Sequence, residues 1–365
     1  MVQPIDSISR RPPPDPESAS TRSPAAATPA RRELDVDSMP VAHTSLGAFL
    51  RNAKTGPAEA IAPATASPAS IAQAKLEAYQ ATFAGPYVVG GERVMASAMF
   101  RMATGYNDKI AGYTIVDGKG KIDRTRPQVK ALVAICKGAN APDPELALMG
   151  CASPRALVKI TQALIDAGKL PPGSGDLPAR IKTMQWQWGI GVDCTDYTVG
   201  AAMKVACKSS QELGVVPGTD YFKAPANNPH LSRVSVADVK VGDVFCLDAV
   251  PKPPRPPAVG HRAVVYSHTV SGPADGAALE ARFGAASATF VRGGPVHIIE
   301  VDSSCGAGPS GSPNGGVRRD TWLYNESSRC WAQYGPKSPV VGSPRFDITP
   351  HGPKDELLHG IYRLR

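Results

Sequence analysis

The sequence predicts an α+β protein in which a run of helices precedes a small antiparallel β-sheet. Two observations carry this prediction. In several stretches between residues 70 and 207, apolar side chains recur every three or four residues, as on one face of an α-helix. After residue 240 the chain changes to short β-branched runs bounded by Pro, Gly or Ser, which are typical of strands. Helices and strands in separate blocks indicate an α+β arrangement.

Residues 1–68 form the first predicted segment. They are rich in Pro, Ala, Ser, Thr and Arg and hold almost no aromatic residues. Such a segment cannot bury enough apolar surface to offset the entropy that is lost on ordering. We therefore expect a disordered tail.

Residues 69–170 form a predicted helical region. Apolar spacing and chain breakers predict a strand over 113–116 and helices over 70–83, 92–102, 129–136 and 153–167. The last helix has the clearest signals, because Ser153 can cap it, Pro154 suits its first turn and Gly168 suits its end. The region is expected to be either a separate helical domain or an N-terminal extension packed on the catalytic domain.

The stretch Trp186–Cys207 leads into the helix around which the rest of the chain is organised. Asp193 is a predicted N-cap, because its carboxylate can accept hydrogen bonds from the free amides of the first turn. Cys194 then takes the first helical position, where the positive end of the helix dipole favours a thiolate. This position predicts a catalytic cysteine; the alternative is a small buried apolar residue. Cys207 and Cys246 are expected to be packed.

Residues 171–365 form the predicted catalytic domain, and its second half is rich in strands. These are predicted over 241–247, 262–266, 296–301, 321–324 and 360–364. A cysteine nucleophile needs a base beside it and a third group that holds the ring of the base. His261 is the candidate base, since it opens an apolar strand that would fix its ring. Glu300 and Asp302 share one side of the next strand, and either can orient an imidazole. The alternative interpretation, with each residue considered alone, is that His261 is an exposed histidine at a strand start and that Glu300 and Asp302 are solvated carboxylates.

Several short motifs, in the same order and at similar spacing, resemble those of the NlpC/P60 family of papain-like cysteine peptidases over roughly residues 180–305. In that family Tyr-x-Trp-Gly leads into Asp-Cys-Ser-Gly on the nucleophile helix. A Gly-Asp-hydrophobic strand, a Gly-His-Val-Gly-Ile-Tyr strand and a third polar residue come next. The matching segments are Trp186-Gln187-Trp188-Gly189, Asp193-Cys194-Thr195, Gly242-Asp243-Val244-Phe245, Gly260-His261-Arg262-Ala263-Val264-Val265-Tyr266 and Ile298-Ile299-Glu300. The resemblance implies a papain-like fold with Cys194 as nucleophile, His261 as general base and acid, and Glu300 as the orienting residue.

The chain also departs from that pattern. Trp186 stands where the family has a tyrosine, and Asp196 stands where it has a glycine. Trp186, Trp188 and Asp196 are the candidate substrate-binding residues, and the carboxylate of Asp196 would disfavour a thiolate. The third residue is acidic where the family more often has histidine, so Asp302 remains an alternative to Glu300. Residues 268–295 look like an insertion, and the CHAP amidases, a related papain-like group, have a similar motif order.

Composition narrows the classes of function. The chain has 365 residues, a formal net charge of +8 and a pI near 9.1, which suits an anionic partner such as the bacterial wall. The sequence shows no nucleic-acid-binding motif, so nucleic-acid binding is not expected. The seven cysteines contain no Cys-x-x-Cys pair, so we expect neither a disulfide framework nor a metal site, and no cofactor is implied. The sequence contains no run of about 18 apolar residues, so we expect no membrane span.

These observations together predict a papain-like thiol hydrolase that cleaves an amide bond. The resemblance implies the stem peptide of peptidoglycan as the substrate. The first residues lack the basic and apolar regions of a Sec signal, so we expect either specialised secretion or a cytoplasmic location. Secretion would bring a chaperone or an immunity protein as a partner. Two alternatives stay open: an effector that acts on host proteins with the same triad, as protease, deamidase or acyltransferase, and an inactive papain-like binding module.

Overall fold

The computed structural model describes residues 67–101, 108–112, 114–116, 119–173, 175–217, 219–249, 261–272, 275–283, 294–305, 315–334, 347–348 and 356–365. The predicted tail, residues 1–68, lies outside this part except for its last two residues. Residues Thr65–Arg365 form one compact unit.

The described residues form nine α-helices. These are α1 (Pro68–Thr82), α2 (Asp108–Ala111), α3 (Pro127–Gly138), α4 (Pro144–Met149), α5 (Pro154–Asp166), α6 (Leu177–Trp188), α7 (Cys194–Ala206), α8 (Ser210–Leu213) and α9 (Gly276–Phe283). The helices predicted over 70–83, 129–136 and 153–167 are confirmed as α1, α3 and α5. Ser153 caps α5 as expected, because its hydroxyl accepts a hydrogen bond from the amide of Ala156. The sequence did not predict α6.

The helix predicted over residues 92–102 is wrong. Residues Tyr87–Val89 (β1) and Glu92–Val94 (β2) form an antiparallel hairpin, and no helix comes after it among the described residues up to 101. Val94, Ala96 and Ala98 are buried, whereas Met95 is 54% exposed. This alternation has the period of an extended chain. The apolar residues were therefore assigned the wrong period. A second hairpin, β3 (Thr114–Val116) with β4 (Lys119–Lys121), contains the strand predicted over 113–116.

The chain after α8 forms an eight-stranded sheet, with α9 between two of its strands, which confirms the α+β class. Its strands are β5 (Leu231–Val234), β6 (Val244–Ala249), β7 (His261–Ser271), β8 (Val296–Cys305), β9 (Gly316–Asn325), β10 (Cys330–Tyr334), β11 (Asp347–Ile348) and β12 (Glu356–Leu364). The order is β11-β10-β9-β8-β7-β6-β12-β5, and all seven pairings are antiparallel. The predicted insertion, residues 268–295, begins inside β7.

The sheet is strongly curved, with an outer face and an inner face. Phe245 on β6 lies 4.8 Å from Trp322 on β9 and 5.3 Å from Trp331 on β10, measured between ring centroids. In a flat sheet β6 and β9 would be about 14 Å apart, because neighbouring strands are about 4.8 Å apart. The three rings therefore meet on the concave inner face.

The outer face packs on the helices. Val244, Cys246 and Val264 alternate with the inner-face residues and share one apolar cluster with Tyr197 of α7. The same cluster contains buried residues of α1, α3, α4 and α5. The helical region therefore packs on the sheet as an extension of one core. No described helix is both long and apolar enough to cross a bilayer.

Candidate active site

The turn before Cys194 is fixed on both sides. Val192 accepts a hydrogen bond from the amide of Arg101 at 3.0 Å and donates its own amide to Met99 at 3.0 Å. The amide of Asp193 donates to Gly150 at 2.9 Å. A Cβ at Gly191 would collide with the carbonyl oxygen of Met99, so this close approach requires glycine. These contacts hold the start of α7 in one position.

Cys194 is the first residue of α7, and Asp193 is its N-cap, as predicted. The Asp193 carboxylate accepts a hydrogen bond from the amide of Asp196 at 2.7 Å. The Cys194 side chain is almost completely buried, with 6% of its surface exposed.

The thiol of Cys194 is less acidic than the sequence suggested. Burial raises its pKa well above the usual range, and the neighbouring Asp193 carboxylate raises it further. A backbone hydrogen bond from Arg262 and the positive charge of that residue act in the opposite direction. The expectation of a thiolate is therefore wrong for the resting protein, since burial and a carboxylate outweigh the helix dipole.

His261 opens β7, as predicted, and lies opposite Leu247 of β6. The Cys194 sulfur accepts its hydrogen bond from the backbone of the next residue, Arg262. The sulfur thus contacts the backbone of the residue that follows the predicted base in sequence. Strand alternation places His261 on the inner-face side and Arg262 on the α7 side. His261 is the first residue of its strand, so its ring would have to reach the sulfur around the strand end.

The imidazole of His261 is neutral over most of the pH range. Burial lowers its pKa to about 3, and the charges of Arg262 and Arg318 contribute. A neutral ring has a free nitrogen lone pair, but a pKa of about 3 makes it a weak base in the resting protein.

Neither predicted orienting carboxylate is brought to His261. Glu300 pairs with Ser267 of β7 and accepts a hydrogen bond from its hydroxyl at 2.8 Å. Ser267 is six residues along the strand from His261, which corresponds to about 20 Å at 3.3 Å per residue. The prediction that Glu300 orients His261 is therefore not supported by the register.

Asp302 has a different partner. It lies opposite Val264, on the outer face, and is completely buried. Arg319 of β9 binds its two carboxylate oxygens at 2.8 and 3.1 Å. Asp302 thus forms an ion pair with the neighbouring strand on the outer, helix-facing side of the sheet, whereas strand alternation places His261 on the inner side.

Two residues near the sulfur were not among the sequence candidates. The guanidinium of Arg262 lies 3.1 Å from Asp220 and also donates to the carbonyl of Leu247. Asp220 lies in the proline-rich loop before β5. A charged residue at the second position of an otherwise apolar strand is the signal that would have identified Arg262.

The carboxylates of Asp193 and Asp196 interact directly beside Cys194. Burial raises the pKa of Asp193 well above its usual range, and Asp196 raises it further by its charge and by a side-chain hydrogen bond. Asp196, a predicted substrate-binding residue, therefore lies next to the nucleophile.

The two predicted tryptophans occupy the last turn of α6. Trp186 and Trp188 are both partly buried, and Trp188 packs against the apolar cluster of the helices. Gln185, on the same helix, is buried; its side-chain oxygen accepts a hydrogen bond from the Met99 amide at 2.9 Å, and its side-chain nitrogen donates to the hydroxyl of Thr161 on α5 at 3.0 Å. The packing of Trp188 supports a structural role.

No group of three or more His, Cys, Asp or Glu side chains with the arrangement of a metal site is formed by the described residues. Cys246 lies on the outer face, whereas His268 contacts His297 on the inner face. Cys246 and His268 are thus on opposite sides of the sheet.

Comparisons of the chain with protein-family models, curated proteins and solved structures find no match.

Proposed function

We propose that the chain is a papain-like cysteine hydrolase, with Cys194 as the nucleophile and His261 as the general base. One observation carries the proposal. The Cys194 sulfur lies at the start of α7 and accepts a backbone hydrogen bond from Arg262, the residue directly after His261. The order of the motifs around both residues supports the same assignment.

The protonation states define the chemistry. With the pKa of the thiol raised and that of His261 lowered to about 3, the resting pair is a neutral thiol and a neutral imidazole. Attack on a carbonyl carbon would then be coupled to transfer of the thiol proton to His261. Backbone amides at the start of α7 would stabilise the oxyanion. The imidazolium would return its proton to the leaving amine, and water would hydrolyse the thioester.

The proposed substrate is a stem peptide of peptidoglycan. The formal charge of +8 favours a polyanionic wall. Close to the sulfur, the field is mixed, because Asp193, Asp196 and Asp220 oppose Arg262. Release by a specialised secretion system, with a chaperone or an immunity protein as partner, is part of the same proposal.

A second candidate is a papain-like binding module without catalytic activity. The burial of Cys194 favours it, since only 6% of the side chain is exposed and its pKa is raised. Catalysis would require this thiol to become accessible on substrate binding, whereas a binding module would function with the thiol buried.

The decisive experiment uses the purified full chain on peptidoglycans of several chemotypes, with mass spectrometry of the released fragments. The hydrolase releases peptides, and Cys194→Ala and His261→Ala each reduce release to background, because nucleophile and base act as one unit. Cys136→Ala, which alters a buried thiol of α3, is the matched control and retains activity. Release that survives Cys194→Ala excludes this cysteine as the nucleophile.

If every wall is inert, the same variants distinguish the remaining candidates in a eukaryotic host cell. Loss of a wild-type phenotype with Cys194→Ala supports an enzyme that acts on host proteins. A phenotype that persists in both variants supports the binding module.

A further inference from the structure

A second pair of reactive groups lies away from the Cys194 site. The Nζ atom of Lys75, on α1, is 2.9 Å from the Sγ atom of Cys207, the residue that ends α7. The contact is on the surface. It joins two residues that are 132 positions apart in sequence.

Cys207 differs from the other described cysteines. Cys136, Cys151, Cys194, Cys246 and Cys305 are buried, whereas Cys207 is exposed. The expectation that Cys207 is packed is therefore wrong, while that for Cys246 is confirmed. The reason is local: Cys207 takes a left-handed conformation with φ of 54°, which ends α7 and lies outside the buried face of the helix.

The position of Lys75 is set by helix packing. Tyr79, one turn further along α1, lies against Gly200 of α7, where a Cβ would collide with its hydroxyl. Its ring is also 5.6 Å from that of Tyr197. The Lys75 amine also lies 3.4 Å from the carbonyl of Val205. The amine is thus held beside the sulfur by two contacts at the end of α7.

We propose that Lys75 and Cys207 form an oxidant-dependent covalent link, a sulfenamide, that joins α1 to the end of α7. The oxidant is a hydroperoxide. The exposed thiol would be oxidised first, because accessibility and thiolate character determine this reaction. This proposal is independent of the function of Cys194.

The sulfenamide forms in two steps. Hydrogen peroxide oxidises the Cys207 thiol by two electrons to a sulfenic acid and is itself reduced to water. The Lys75 ammonium then releases a proton to solvent, and the nitrogen lone pair attacks the sulfur. The S–N bond forms as the S–O bond breaks, and the departing hydroxide takes the second nitrogen proton and leaves as water. Nitrogens condense with sulfenic acids in this way, and a dithiol would reverse the link by attack on sulfur.

The test is treatment of the full chain with hydrogen peroxide, then intact-mass measurement and peptide mapping. The link lowers the intact mass by two hydrogens, about 2 Da, relative to the reduced protein. It also yields one cross-linked species that contains Lys75 and Cys207 and that disappears with dithiothreitol. Trypsin should fail to cleave after the linked lysine.

Two variants make the test specific. Lys75→Arg keeps a positive charge beside the sulfur but presents a weak nucleophile, so the cross-link is lost and Cys207 proceeds to sulfinic acid. Lys208→Arg changes the lysine next to Cys207 in sequence and retains the cross-link. The proposal is overturned if wild-type Cys207 accumulates as sulfinic acid or as an intermolecular disulfide while the Lys75 peptide stays unmodified.

Discussion

The imidazoles of His268 and His297 lie edge to edge on the inner face of the sheet, with ring centroids 5.1 Å apart and an interplanar angle of 9°. Nε2 of His268 lies 2.8 Å from Nδ1 of His297. Nδ1 of His268 lies 3.1 Å from the carbonyl of Val239, and Nε2 of His297 lies 2.6 Å from Glu326. An acceptor therefore stands at each end of a chain of three hydrogen bonds.

This chain requires one proton more than two neutral imidazoles supply. Burial lowers the pKa of His268, which therefore stays neutral and donates to Val239. Nδ1 of His297 therefore carries the hydrogen that joins the two rings, and the third hydrogen lies between Nε2 of His297 and the carboxyl group of Glu326. We predict that nitrogen-detected NMR at neutral pH shows a proton on Nδ1 of His268 and on Nδ1 of His297, and none on Nε2 of His268. A proton on Nε2 of His268 would contradict this assignment.

Local signals predicted the parts of the site that depend on a few consecutive residues. The Asp193 cap, the first helical position of Cys194 and the start of β7 at His261 all result from hydrogen-bonding and packing preferences within one turn or one strand. The orienting residue depends instead on strand register. Strand β7 ends at Ser271 and β8 begins at Val296, and a register shift between Val265 and Ser267 sets Glu300 opposite Ser267. The long connection contains α9, so no short turn reports this register, and the apolar pattern indicates only which face of the sheet a residue takes.

The pKa of Cys194 is a second property that the sequence alone could not predict. The sequence contains the helix start, which favours a thiolate, but not the packing that buries the sulfur. The helix predicted over 92–102 failed for a related reason. Val94, Ala96 and Ala98 satisfy an alternating pattern, yet a short apolar run fits either period until its neighbours are known.

The lowered pKa of His261 predicts a pH dependence of stability. The ring has a folded-state pKa of about 3 against an ordinary value of 6.5, so between these limits the unfolded state binds more protons. Acidification below pH 6.5 therefore destabilises the fold, by up to about 1.4 kcal/mol per pH unit for this group. We predict that His261→Asn has a flatter free energy of unfolding between pH 6 and pH 4, measured with urea. Asp302, whose pKa burial raises, opposes the trend in both proteins and cancels in the difference. Parallel curves would show that His261 is not buried as a neutral ring.

The ion pair of Asp302 and Arg319 predicts a large stability loss when one partner is removed. Asp302 is fully buried, and Arg319 also stacks 3.0 Å above the centroid of the Tyr266 ring. Arg319→Met leaves an uncompensated buried carboxylate, and we expect a loss of about 3 kcal/mol in the free energy of unfolding. The double variant Arg319→Met with Asp302→Leu should recover most of this loss, because both charges are gone. A loss below about 1 kcal/mol in the single variant would indicate that water reaches Asp302.

Glu300 provides a direct test of the register. About six strand positions, or roughly 20 Å, separate it from His261, so it cannot hydrogen-bond to that ring. We predict that Glu300→Gln keeps kcat/KM for wall peptide release within about twofold of the wild-type value, whereas His261→Ala abolishes release. The NMR titration of the His261 ring gives the same comparison without a substrate. Removal of a hydrogen-bonded carboxylate would lower the pKa of an imidazole, and removal of a distant one leaves it unchanged. A lowered His261 pKa in Glu300→Gln would mean that the two side chains meet and that the strand register is different.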